Sequence, residues 1–176
     1  MRSEIFVPLI AFLAGASPCF AQASAAPAAR NAVFGELLGN GGLYSVNYER
    51  MLTDRFAVRI GYGAWDSPLL FQGSPPDRYR TLPVTVSYLL GPGERKLELG
   101  GGITFGRGTF DRHFDTRRDF SFRTLTAIVG YRSHPREGGY LFRAGATPFY
   151  SFDDGESAYP DPGFSFGAGV SFGYLF

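Results

Sequence analysis

Cysteine is almost missing from this sequence: the single Cys19 falls near the start, ahead of everything that reads as folded. A disulfide framework needs pairs, so any stability outside a reducing compartment must come without bridges. Lys96 is the sole lysine and Trp65 the sole tryptophan. An excess of one charge is missing too. With 17 basic and 16 acidic side chains, the net charge of +1 excludes nucleic-acid binding through a general electrostatic field. Beyond residue 24 no apolar run approaches the roughly 18–20 residues that a membrane-spanning helix needs.

In place of these stand 24 glycines, 18 phenylalanines and 10 tyrosines. The opening MRSEIFVPLIAFLAGASPCFAQA has Arg2, an apolar stretch from Ile5 to about Gly15 and the pattern Ala21-Gln22-Ala23. That is the layout of a cleaved secretory signal peptide, expected over 1–23 with cleavage after Ala21 or Ala23. Pro8 interrupts the apolar run, and Pro18 makes Cys19 a poor lipoprotein anchor. Residues 24–31, SAAPAARN, read as a linker, and 32–176 as one domain.

From Val33 onward residues alternate with a period of two, broken by Gly, Pro and Asp clusters, which predicts a chain made of strands. Eight are expected, over 32–38, 43–52, 55–65, 79–90, 96–106, 120–132, 140–152 and 164–176. Thr53-Asp54, 91–95 and 133–139 are tight connections, whereas 66–78, 107–119 and 153–163 are long and charged, and the two kinds alternate. Short turns at one end and long loops at the other suit a transmembrane barrel. Asn40-Gly41 is a favoured two-residue hairpin signal. A break there gives an even strand count; the rival is one long strand kinked at its glycines.

The last strand shows which face meets what. Phe164, Phe166, Val170, Phe172, Tyr174 and Phe176 share one side, and Ser165, Gly167, Gly169, Ser171 and Gly173 the other. A solvated outer face would carry Lys and Glu; Gly and Ser suit the crowded interior of a narrow barrel. The phase then turns Glu36, Glu49, Arg59, Glu98 and Arg143 inward, where both signs must pair. Two outward aromatic girdles are expected. Tyr44, Tyr62, Trp65, Phe105, Phe120, Phe122, Tyr150, Phe152, Phe164 and Phe166 form the loop-end one. Tyr88, Tyr131, Tyr140, Phe142, Phe172, Tyr174 and Phe176 form the turn-end one. Pro83 and Pro148 each remove a ladder donor, so bulges are expected at both, and a third near Arg123 would reconcile the two phases of strand 120–132.

These features resemble the small outer-membrane β-barrels of Gram-negative bacteria, of the OmpX and OmpA-barrel type: signal peptide, eight strands, alternating connections and a last strand ending SFGYLF. The resemblance implies an all-β, eight-stranded antiparallel up-and-down barrel exported to the outer membrane. It also implies that Phe172, Tyr174 and Phe176 form the signal read by the barrel assembly machinery, although Ser171 stands where that family often has glycine. ELLGNGGLYSVNYER looks like a stretch of other outer-membrane barrels and names no reaction.

Candidate chemistry is sparse. A lipid A-modifying enzyme of this size would use a histidine with a serine and a carboxylate at the outer rim. Only His113 and His134 exist. His113 sits in DRHFDTRRD between Asp111 and Asp115 with no serine near, and His134 falls in a turn at the other end. Arg107, Arg112, Arg117 and Arg118, with Arg78 and Arg80, could hold lipopolysaccharide phosphates in bidentate fashion, interleaved as they are with Asp77, Asp111, Asp115 and Asp119. Asp153, Asp154, Glu156 and Asp161 follow no defensible calcium spacing, and GGGITFGRG opens no helix as a phosphate cradle would. The expectation is a non-enzymatic, monomeric barrel with a structural or surface-interaction role, without cofactor or metal, contacting membrane lipid and lipopolysaccharide. A narrow conduit for small solutes is the alternative, and a lipid A-modifying enzyme the third reading.

Overall fold

The computed structural model describes the backbone of residues 29–66, 78–112, 116–152 and 162–176. The signal peptide expected over 1–23, His113, and the acidic residues 153–161 lie outside the described residues. Eight strands run in chain order: β1 (Asn31–Leu37), β2 (Tyr44–Met51), β3 (Phe56–Asp66), β4 (Arg78–Leu90), β5 (Arg95–Arg112), β6 (Thr116–Ser133), β7 (Gly139–Ser151) and β8 (Gly163–Leu175). Each pairs antiparallel with the next, and β8 closes on β1 from Ala32↔Leu175 to Leu37↔Val170. Closure leaves no free edge along this seam.

Alternation does what the pleat requires. β2 reads exposed–buried throughout, with Ser45, Asn47, Glu49 and Met51 inside and Tyr44, Val46 and Tyr48 outside. Phe34, Leu141 and Leu175 pack with Ala32 in a buried apolar cluster at the turn end, and Met51, Ala57 and Leu89 form a second one there. Outward, Tyr140, Phe164 and Phe166 are each at least 70% exposed, an arrangement that only an apolar surrounding makes favourable. Among the described residues no helix is long and apolar enough to cross a membrane, which says nothing of strands.

Several expectations fail. The segment 107–119 is mostly ladder rather than loop: β5 and β6 pair continuously from Arg95↔Ser133 to Arg112↔Thr116. Charged residues in a strand that rises past the apolar band pair as well as any others. The register between β5 and β6 is unbroken at Phe105↔Arg123, so there is no bulge there. At Pro83 pairing lapses between Ile60↔Val84 and Gly63↔Thr81, and at Pro148 between Thr126↔Phe149 and Val129↔Ala146, in both cases without a change of register. Each proline interrupts two successive pairs of one ladder and leaves the strands on either side in the same register.

Phe120, Phe122 and Trp65 also leave the expected outer girdle and turn inward. Phe120 is 5% exposed, and a Cβ on Gly108 would meet its ring, as one on Gly106 would meet that of Phe122. Bare glycines on β5 make the space these rings fill.

The β1–β2 connection is a hairpin of six residues, 38–43, and not a two-residue turn. Asn40 and Gly41 are the middle of a turn closed by Gly42 N–H donating to Gly39 O at 3.0 Å, while Leu38 N–H donates to Leu43 O. Leu38 takes a φ of 58°, a conformation β-carbon-bearing residues rarely adopt, and Gly42 one of 95°.

Candidate functional site

The lumen is filled from the turn end upward by side chains that close it in layers. Above the apolar floor lies a belt of three carboxylates and three guanidinium groups. Arg59 Nη1 donates to Glu36 Oε1 at 2.9 Å and its Nε to Thr85 Oγ1 at 2.9 Å. Arg143 grips Glu98 with two bonds, one of them Nε to Oε2 at 2.8 Å, and Nη1 lies 3.7 Å from Glu49 Oε2. Arg132, on the inward phase of β6, pairs Glu49 at 2.5 Å. Phe34 lies between the two other arginines, its ring centre 4.9 Å from the Arg143 guanidinium and 5.8 Å from that of Arg59. All six charged side chains are nearly fully buried, so their signs must cancel, and they do.

Arg132 was missed by sequence reasoning, although Leu125, Val129 and Tyr131 on the opposite phase announced it; Phe120 and Phe122 obscured the phase. The cavity left beside the belt measures about 20 Å³, lined in part by Glu36, Asn40, Arg59 and Arg143. That is room for roughly one water molecule and not for a hydrated ion.

Over the belt the 38–43 loop folds into the barrel, where one hydroxyl from each of three adjacent strands holds it. Thr81 Oγ1 donates to Gly41 O at 2.6 Å, Thr104 Oγ1 to Asn40 O at 3.0 Å, and Thr126 Oγ1 to Asn40 Oδ1 at 2.8 Å. Asn40→Ala removes the last of these bonds and is expected to lower stability by about 1 kcal/mol, read as a shifted urea midpoint with unchanged slope. Above the loop an amphipathic vestibule of about 260 Å³ opens, lined by Trp65, Tyr79, Phe122, Phe149 and threonines. Trp65 stacks on Tyr79 with ring centres 5.6 Å apart.

At the turn end His134 follows β6. Its Nδ1 lies 3.1 Å from Arg132 Nη2. Burial, then the neighbouring Arg132 charge, pushes its pKa down from 6.5 to about 4. Between those values the unfolded chain binds a proton that the folded one does not, so stability rises with pH across that window and is lost as pH falls from about 6.5 towards about 4. His134→Gln is expected to flatten that part of a stability–pH profile.

Outside, at the loop end, Arg80 and Arg107 are directly opposite partners on β4 and β5, both exposed, and Arg123 on β6 pairs across from Phe105. The three line a surface groove of about 700 Å³ with Tyr62, Leu82 and Phe105. Arg78, two residues from Arg80 on the same face of β4, lies 3.8 Å from Asp66 and does not line this groove. The side chains of Arg112, Arg117 and Arg118 lie outside the described residues. Phe172, Tyr174 and Phe176 stand exposed along the outer face of the seam, where Phe176 and Asn31 exchange backbone bonds of 2.7 and 2.8 Å.

A closed eight-strand meander with an ionic inside and an aromatic outside has counterparts among solved structures. It superposes on the N-terminal β-barrel domain of Pseudomonas aeruginosa OprF with a TM-score of 0.61 at 16% identity, covering 85% of this chain and 98% of that one. The fold is that of a small eight-stranded outer-membrane β-barrel. Two more such barrels agree. Ail of Yersinia pestis, solved with the heparin analogue sucrose octasulfate, gives a TM-score of 0.50 at 14% identity over 85% of this chain and 97% of that one. Neisserial surface protein A gives 0.50 at 12% identity over 84% and 93%. No family model and no curated protein sequence matches the chain.

Proposed function

We propose that the chain is an integral protein of the bacterial outer membrane, non-enzymatic and monomeric, whose sealed barrel serves a structural and surface-interaction role. A cleaved signal peptide over 1–23 exports it, and the assembly machinery reads Phe172, Tyr174 and Phe176 on its last strand. Inverted polarity carries this reading: Phe, Tyr and Val face outward while Glu36, Glu49, Glu98, Arg59, Arg132 and Arg143 neutralise one another inside. The mature protein is expected in outer-membrane fractions, with heat-modifiable migration on gels. Recovery in the soluble periplasm overturns the reading. In planar bilayers no steady conductance is expected, because the belt and the 38–43 loop seal the lumen one above the other. Stable unitary currents would favour the conduit instead.

Its surface partner is lipopolysaccharide, held at the loop end by Arg80, Arg107 and Arg123. Like charges directly opposite one another across two strands are unfavourable. Arg80 and Arg107 adopt that arrangement on the lipid-facing side, beside apolar Tyr62 and Leu82, and a phosphate between them removes the repulsion. Replacing all three by Gln is expected to cut lipopolysaccharide co-purification several-fold, measured by mass spectrometry, while heat modifiability persists. Undiminished co-purification rules the three arginines out.

A further inference from the structure

The opposite end of the barrel carries a second concentration of positive charge that the reading above does not use. A pocket of about 350 Å³ opens among the chain entry at Ala29 and the three tight turns. Arg30, Arg55, Lys96 and Arg136 line it, and Asp54 is the sole acid among the described residues that do. Asp54 sits 3.9 Å from Arg30 and is itself well exposed, so it offsets one cation of four. Glu94 and Glu137 lie on the same turns without lining the pocket.

His134 gives the pocket a directional donor. It is 8% exposed and lines the pocket wall, and its backbone N–H is fixed to Glu94 O at 2.7 Å. Arg132 can only donate, so the ring nitrogen it meets, Nδ1, must accept, and the hydrogen of the neutral ring sits on Nε2. Lys96 adds a placed cation: its Nζ donates to Gly91 O at 2.6 Å, which leaves two ammonium hydrogens for another acceptor.

We propose that this turn-end pocket binds a phosphate group, borne by a phospholipid headgroup or by a soluble phosphate. Cations arriving from four separate segments suit a multiply charged tetrahedral anion, whose oxygens point in several directions, better than a planar carboxylate. Arg55 sets the depth. Its Nη1 lies 3.5 Å from the hydroxyl of Tyr88, one of the outward tyrosines at this end, so the rim of the pocket is level with an aromatic belt and hence with headgroups. The proposal holds whichever end of the barrel faces outward.

The test follows the backbone amides of Gly93 and His134 by NMR in neutral detergent micelles, on addition of inorganic phosphate against sodium chloride at matched ionic strength. A saturable, phosphate-specific shift is expected, about ten-fold weaker in Lys96→Gln and tighter in Asp54→Asn. Nanodiscs of phosphatidylcholine with and without phosphatidylglycerol separate the sources. A shift brought on by the anionic lipid and reversed by inorganic phosphate assigns the headgroup; a response to inorganic phosphate alone assigns a soluble ligand. Either supports the site. Chloride reproducing the shift, Lys96→Gln and His134→Gln both titrating as the parent does, or no response to phosphate or anionic lipid overturns it.

Discussion

Arg143→Met is expected to remove about 3–5 kcal/mol of folding stability, the cost of leaving a buried charge without its partner. Arg143 holds both oxygens of Glu98 and stands 3.7 Å from Glu49, so its loss strands one carboxylate and weakens the hold on another, inside a lumen with a cavity of about 20 Å³ beside the belt. Methionine keeps most of the volume, so the penalty is mainly electrostatic. Urea unfolding from lipid vesicles gives the measurement, with Trp65 as the sole indole reporter, stacked on Tyr79 in the vestibule above. Adding Glu98→Gln to the same chain restores charge balance and is expected to recover a substantial part of the loss, since groups in one network are non-additive. A single-variant cost below about 1 kcal/mol would mean that water screens the belt as it screens surface pairs, and the sealed lumen would have to be given up.

How much of this could be read without coordinates depends on whether the cause is local. Alternation is local, so the strands and the inward phase of Glu36, Glu49, Arg59, Glu98 and Arg143 follow from spacing. Which carboxylate meets which guanidinium is not, because it depends on the height of each residue in a sheared, closed ladder. Glu98 meets Arg143 from two strands away, β5 to β7. The aromatic errors share one origin: reading every ring near the loop end as a girdle ignores the glycines facing it. Gly42 lies under Trp65, Gly106 under Phe122 and Gly108 under Phe120, so each of these three rings is matched to a position without a side chain. The two phenylalanine matches are register partners across β5 and β6, and the third depends on where the 38–43 loop folds, so none is visible in local spacing.

The 38–43 loop is a further case of non-local cause. GNGG announces a turn, yet nothing in it announces an inward one. The direction comes from strand length: β1 and β2 are 7 and 8 residues long, β5 and β6 are 18 each, so the first hairpin ends part-way up the barrel. There Thr81, Thr104 and Thr126 face a void that the loop fills. Threonines that would otherwise bury hydroxyls thus acquire acceptors, and backbone carbonyls of the loop acquire donors.

The same crowding, at the seam where the barrel closes, predicts that Gly173→Val will fail to fold while its neighbour tolerates change. A Cβ at Gly173 would come within 2.1 Å of Val33 O and 2.5 Å of Phe34 Cα. Both are backbone atoms of β1, so no rotamer change relieves the clash and the strands must part. Overpacking costs typically 1–3 kcal/mol where side chains can adjust; here closing-seam ladder bonds go as well, and a loss of at least about 3 kcal/mol is expected. Gly35 is the control on the same seam. It pairs with Phe172, faces outward, and has nothing within 4 Å of a Cβ built on it. Refolding from urea into micelles should return heat-modifiable protein in high yield for Gly35→Ala and little or none for Gly173→Val. Equal yields would show that the interior glycines are not there to let neighbouring strands approach, and the steric account of their abundance would fail with them.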